Sequence, residues 1–259
     1  MELVNRADTI STAVGTGIKV SMFATCIGDA VYPRIVEAMA RLLARVGVKL
    51  EFPQGQTCCG QPAFNSGYWD EARRSAATLL EAFADSDFVI GPSGSCIGMI
   101  HHYPKLFEQD SVRLAMAEEL KAKSYEFTQF LVQVLGVTDL GAAFPHKVTY
   151  HPSCHGSRLL GIKEEPMALL QNVKGMELVP LPFAEDCCGF GGTFAVKMAD
   201  ISGAMVTEKA DHVLETSAEV LTGLDMACLM NIAGHLRYRQ QQVRVMHVAE
   251  LLYEGVSGA

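Results

Sequence analysis

Long apolar runs, basic clusters and tryptophan are all scarce in this 259-residue chain. The longest apolar stretch, 220–233, is interrupted by Asp225 and falls short of a bilayer span. Asp and Glu outnumber Lys and Arg by 29 to 21, giving a net charge of −8. With no Lys/Arg cluster, a nucleic-acid footprint is excluded. Residues 1–17 place a glutamate at position 2 and hold no apolar segment, so they do not read as a secretory leader. The expectation is a cytoplasmic globular protein. The glycine runs at 91–95 and 189–192 fit neither a Rossmann fingerprint nor a Walker loop, and no flavin or nicotinamide motif is visible. No Ser-His-Asp or paired-carboxylate arrangement stands out, and close Cys-x-x-Cys knuckles are lacking.

What the chain does have is eight cysteines. A disulfide frame belongs to short secreted chains, and this one is long and without a leader. Cytosolic thiols stay reduced, so the count points to metal or redox chemistry unless the cysteines are merely small buried hydrophobes. Their placement decides. They stand at 26, 58, 59 and 96, then at 154, 187, 188 and 228. Each set is one Cys, a gap of 32 or 33, a Cys-Cys-Gly, a gap of 37 or 40, and one Cys. The halves repeat with an offset of about 130, which is an internal duplication.

The flanks repeat as well. Short β-rich runs at 18–24 and 146–150 lead to Cys26 and Cys154, those at 48–53 and 177–181 to the Cys-Cys-Gly pairs, and those at 87–91 and 219–223 to Cys96 and Cys228. The ends correspond too, 126–131 matching 247–252. Helical patterns fill the gaps. After Cys26, Asp29 is a candidate cap and Pro33 a first-turn residue; Ile35, Val36, Met39, Leu42, Leu43 and Val46 form a stripe that Gly47 ends. A second stripe at 70–84 carries Ala72, Ala76, Leu79, Leu80 and Phe83. In the other half, Pro166 opens a segment with Leu169, Leu170 and Val173, and 201–215 carries Met205, Val213 and Leu214. Alternating strands and helices give an α/β fold with parallel sheets flanked by helices, in two duplicated units related by a pseudo-twofold. The Gly- and Pro-containing stretch 136–145 is the expected join, dividing the chain into 18–141 and 142–259.

In such sheets ligands bind beyond the carboxyl ends of the strands. Every cysteine follows a strand, so Cys26, Cys58, Cys59 and Cys96 should converge at one edge, and Cys154, Cys187, Cys188 and Cys228 at the other. Helix amino ends and glycine-rich turns there would lower thiol pKa and admit an inorganic core. Four thiols suit a [4Fe–4S] cluster and also tetrahedral zinc.

These motifs resemble the tandem CCG cysteine-rich domain family, which includes the CCG-containing component of heterodisulfide reductase and the iron–sulfur subunit of glycolate oxidase. A closer likeness, from about residue 19 to 253, is to the lactate-utilisation subunits of iron–sulfur L-lactate dehydrogenase complexes. It rests on GQTCCGQPA around Cys58 and Cys59, GPSGSC ending at Cys96, DCCGFGGTF around Cys187 and Cys188, and DMACLMN around Cys228. The resemblance implies iron–sulfur clusters at both sets of cysteines and electron relay during oxidation of L-lactate to pyruvate. It further implies a ferredoxin-like iron–sulfur partner and a small third subunit; the sequence does not locate the lactate site, for which a partner is one candidate. Two other readings stay open: a zinc- or thiol-containing scaffold, and a thiol/disulfide redox enzyme like heterodisulfide reductase. The longest form of the family motif ends Cys-x-x-Cys, giving five thiols. Here the last position is Met99 in one half and Asn231 in the other. This departure puts the five-thiol noncubane cluster in doubt and favours conventional [4Fe–4S] clusters.

Lesser candidates surround the thiols. His151 and His155 flank Cys154, and His101 and His102 follow Cys96; each could bond cluster sulfur, shuttle a proton or stand in for a thiol, although a histidine satisfied by backbone is the commoner use. Arg158 could orient a carboxylate, or be a solvated surface residue. Trp69 and Tyr68 read as core or interface.

Overall fold

The computed structural model describes residues 19–258; the leader reading of residues 1–17 and the expected outer bounds, 18 and 259, lie outside the described residues. Four strands form the first sheet: β1 (Val20–Met22), β2 (Leu50–Glu51), β3 (Phe88–Gly91) and β4 (Ser124–Glu126). They run parallel in the order β2-β1-β3-β4. Strands β5 (Lys147–His151), β6 (Glu177–Val179), β7 (Val220–Gly223) and β8 (Arg244–His247) repeat this as β6-β5-β7-β8, again all parallel. The duplication read from cysteine spacing is thus a duplication of architecture.

The halves embrace reciprocally. The helix Val248–Ser257, which follows β8, packs on Pro33–Arg45, which follows β1; the turn Phe127–Gln129 and its π-helical continuation Phe130–Val134 pack on Glu164–Gln171. That exchange is the pseudo-twofold. One apolar core runs across it, joining Leu42, Ile90 and Phe127 to Val148, Leu221 and Leu251. A second core, with Phe83, Val89, Ile97 and Tyr103, fills the outer face of the first sheet. The join is ordered: Leu140, Ala142 and Phe144 are buried, Ala143 N–H donates to Gly255 at 3.0 Å, and Lys174 N–H donates to Ala142 at 2.9 Å.

Helix patterns hold where the stripe is apolar. Pro33–Arg45 buries Ile35, Met39, Leu42 and Leu43, and Gly47 closes it at φ +86°. Trp69–Ala82 buries Ala72, Ala76, Leu79 and Leu80. Asp29 is not a cap; Thr25 caps the short helix Cys26–Ala30, its Oγ1 accepting from Gly28 N–H at 3.2 Å. In Ala199–Glu215 the inward residues are Ser202, Val206, Lys209, Ala210, His212 and Val213, while Met205 and Leu214 are only partly buried. Of the polar ones, Ser202 and Lys209 each bond a loop of the second site and His212 stacks on Phe183. The helix Ser111–Lys123 is an insertion before β4 with no counterpart before β8; it buries only Ala117 and Leu120, too thin a stripe to read in sequence. Strands β4 and β8 lead to no cysteine, so the repeated cysteine frame does not mark them. Among the described residues, no helix is long and apolar enough to cross a membrane.

Candidate metal centres

The chain turns at the carboxyl ends of β1 and β5 in the same way. After β1, Thr25 caps a helical turn that opens with Cys26; after β5, Ser153 precedes Cys154 and its Oγ accepts from Gly156 N–H at 3.2 Å. Hydroxyl, cysteine, any residue, glycine is therefore one repeated device. The glycine is needed because a Cβ would lie 3.0 Å from Thr25 Oγ1 in one half and 2.9 Å from Ser153 Oγ in the other. Thr25 holds φ +64°, an uncommon conformation for a β-branched residue, immediately beside the first thiol. Cys96 and Cys228 lie in the first turns of Gly94–Leu106 and Met226–Tyr238, where the helix dipole favours negative charge.

The eight thiols converge as two sets. Cys26 Sγ and Cys58 Sγ are 3.8 Å apart. Thiol contacts run in sequence from Cys26 through Cys58 and Cys59 to Cys96, and from Cys154 through Cys187 and Cys188 to Cys228. Cys59, Cys188 and Cys228 are buried, the others partly open. Four thiols this close cannot all ionise. Cys58 is held well below the ordinary thiol range because Cys26 and Cys59 donate to it, helped by the Gly60 amide. Cys187 is held low by Cys154 and Cys188, with Gly189 N–H 3.4 Å from its sulfur. Cys26 and Cys154, which donate to them, are pushed up in turn by those S–H bonds and by burial. A cation would displace those protons and bind all four sulfurs, so this donor set fits a thiolate-bound iron–sulfur or zinc centre.

Each Cys-Cys-Gly loop is fixed from behind. Gly60 and Gly189 hold φ +86° and +79°, and a Cβ would lie 3.2 Å from the Ala72 carbonyl or 2.8 Å from that of Ser202. A side chain there would strike the following helix, not the space between the thiols. The carbonyl of the second cysteine is also satisfied in both halves, for Cys59 by Tyr103 Oη at 2.8 Å and for Cys188 by Asn231 Nδ2 at 2.8 Å. Asn231, where the longest motif has a thiol, is thus engaged with backbone, and Met99 is buried in the outer core of the first half. In the second half Ser202 Oγ donates to Gly189 O at 2.8 Å, and the Lys209 ammonium donates to Phe183 O at 2.7 Å and Ala184 O at 3.2 Å.

Between the two sets lies Asp225, which is buried and caps two helices at once. Its Oδ1 accepts from Ala227 N–H at 3.1 Å, while Oδ2 accepts from Ser93 Oγ at 3.0 Å and Ser95 N–H at 2.8 Å across the pseudo-twofold. The first set also opens towards Phe190, Gly192 and Met226 of the other half.

The lesser candidates separate. His151 ends β5, and a ring nitrogen, Cys188 Sγ and Cys228 Sγ all lie within 4.8 Å of one another. Burial pushes the His151 imidazole down to about 3. His155 Nδ1 is 3.5 Å from Cys154 Sγ. His101 and His102 are elsewhere, the first 3.3 Å from the Ser124 carbonyl and the second stacked on Phe64. Arg158 donates to Glu185 O at 2.6 Å and so braces the loop before Cys187. Tyr68 and Trp69 are exposed, not core. An open cleft of about 800 Å³ beside Trp69 holds no cysteine, and its Arg73, Arg74 and Arg113 pair with Asp70, Glu71 and Asp110.

The model of the CCG cysteine-rich domain matches residues 20–101 and 148–233, one copy on each half. The chain belongs to that family. Its relatives include lactate utilization protein A of Oceanobacillus iheyensis, 54% identical over 91% of this chain and 96% of that one. The protein of the same name from Geobacillus kaustophilus is 52% identical, covering 91% and 98%. Lactate utilization protein A 2 of Bacillus cereus is 48% identical, covering 93% and 100%. An aspartate racemase homologue from Pyrococcus horikoshii superposes at a TM-score of 0.33 with 12% identity over 93% of this chain and 97% of that one, too loosely to carry an argument.

Proposed function

We propose that this CCG protein is an iron–sulfur redox subunit of a complex that oxidises L-lactate to pyruvate. The observation that carries this is the paired convergence of Cys26, Cys58, Cys59 and Cys96, and of Cys154, Cys187, Cys188 and Cys228, at strand ends in one rigid duplicated frame. The relatives' name supplies the substrate. Oxidising one lactate releases two electrons and two protons, and a [4Fe–4S] cluster in each half supplies one-electron steps. The chain's own residues hold the sulfurs, dry the inner ones and fix the Cys-Cys-Gly carbonyls. The histidines beside the second set, His151 and His155, lie against its sulfurs, so the proton-abstracting step is assigned to a partner, the ferredoxin-like subunit or a small third subunit. Cytoplasmic residence follows from the need for reduced thiols.

The test is lactate-dependent dye reduction by the anaerobically reconstituted complex, with and without this chain. Turnover should require the chain and fall at least tenfold with Cys58→Ser or Cys187→Ser. Full turnover without the chain contradicts the proposal. One observation favours a second reading: His151, Cys188 and Cys228 are spaced closely enough for a mononuclear zinc site in the second half. Stoichiometric zinc there, with lactate turnover intact, would select it.

A further inference from the structure

The two halves are not chemically equal. Three residues before the first cysteine of each set stand Phe23 and His151. Phe23 is buried and packs edge-on against Phe83, ring centroids 5.7 Å apart, inside the outer core. His151 occupies the same place in the repeat with only 2% exposure, yet neither ring nitrogen has a hydrogen-bond partner. Leaving a buried polar atom unpaired forfeits its hydration with no return, and this ring has two such atoms. The ring sits against Cys188 and Cys228, with its ligating atom and both sulfurs inside 4.8 Å. The partner it lacks in the protein is therefore what the thiols hold.

We propose that His151 is a nitrogen ligand to iron in the second half, and that the first half is held by sulfur alone. This rests on the iron–sulfur reading of the cysteines given above. It makes the second set five donors, four thiolates and one imidazole, with the fifth arriving from strand β5 and not from position 231, whose Asn side chain is bound to the Cys188 carbonyl. Replacing a thiolate by a neutral imidazole on iron removes negative charge and raises the reduction potential. A nitrogen added to an iron that keeps its thiolates removes no charge; the charge difference between the halves is then the Lys209 ammonium, which lies near Cys187 and Cys188 where the first half has Leu79 and favours the reduced cluster. The second cluster is then the higher-potential one, and electrons pass from the first half to the second.

The experiment is pulsed EPR of the reduced full-length protein, isolated anaerobically, with natural-abundance and ¹⁵N-histidine labelling. The expected result is a histidine nitrogen coupling that changes isotope with the label. It should be lost in His151→Phe and in Cys187→Ser, and kept in Cys58→Ser and in His155→Gln. Redox titration should show two steps, with the higher one displaced and the lower one unmoved in His151→Phe. Should His151→Phe fail to fold, the wild-type spectrum decides alone. Absence of histidine coupling in iron-loaded wild type, with cysteine variants still losing iron, overturns the ligation and leaves the functional proposal standing. Absence of iron from every sample overturns both.

Discussion

Glu126 shows how one side chain can set the pH response of the fold. It ends β4 wholly buried and caps the next turn through Thr128 N–H at 2.8 Å. Burial, and lesser repulsion from Glu165, push its carboxyl up to about 7 from an ordinary 4.5. The folded state thus binds the proton more tightly than the unfolded chain. Its stabilising effect is complete below the unfolded pKa and is lost as pH rises to and past 7, by about 3 kcal/mol. Glu126→Gln should keep the cap, flatten the fall in urea midpoint between pH 5 and 8, and be more stable than wild type at pH 8; an unchanged slope would refute the assignment. The glycines of the two Cys-Cys-Gly loops make a paired test. Both need positive φ, but a Cβ at 189 lies 2.8 Å from a backbone carbonyl and one at 60 lies 3.2 Å from its own. Gly189→Ala should therefore cost more stability than Gly60→Ala, each by more than about 1 kcal/mol, by denaturant unfolding.

Elements meet at Asp225, where helices from both halves share one carboxylate. Asp225→Ala strips the cap from Met226–Tyr238 and leaves Ser93 Oγ and Ser95 N–H without their acceptor. A loss of roughly 3 kcal/mol is expected from these buried bonds together, partly restored by Asn; a neutral Ala variant would show that the junction does not depend on it. Much of the element level was legible. The strands that end at thiols, the Pro33 helix and the 70–84 stripe could be read because an apolar period and a repeated cysteine frame agreed there. Lys209 and Ser202 escaped because their work is to hold a loop distant in sequence, which no local pattern records. Asp225 registered only as a break in an apolar run, since its second helix lies 130 positions away. His151 was visible as a neighbour of Cys154, but its lack of any other partner exists only in three dimensions.

At the scale of the molecule, duplication explains why the sites come in a pair and why they differ. Two copies of one strand-turn-helix frame place four thiols apiece, and a shared core with reciprocal helix packing keeps the frames in fixed relation. Sequence outside the frame then diverged, Phe23 against His151 and Leu79 against Lys209, leaving a symmetric scaffold with unequal surroundings. On the proposed function each half holds its own iron–sulfur cluster. Anaerobic iron and sulfide analysis of the wild type beside Cys58→Ser, Cys187→Ser and the double variant decides this. The expected result is about eight irons per chain in wild type, about four in each single variant and none in the double. Stoichiometric zinc without iron in active wild-type protein, or iron unchanged in both single variants, would contradict it.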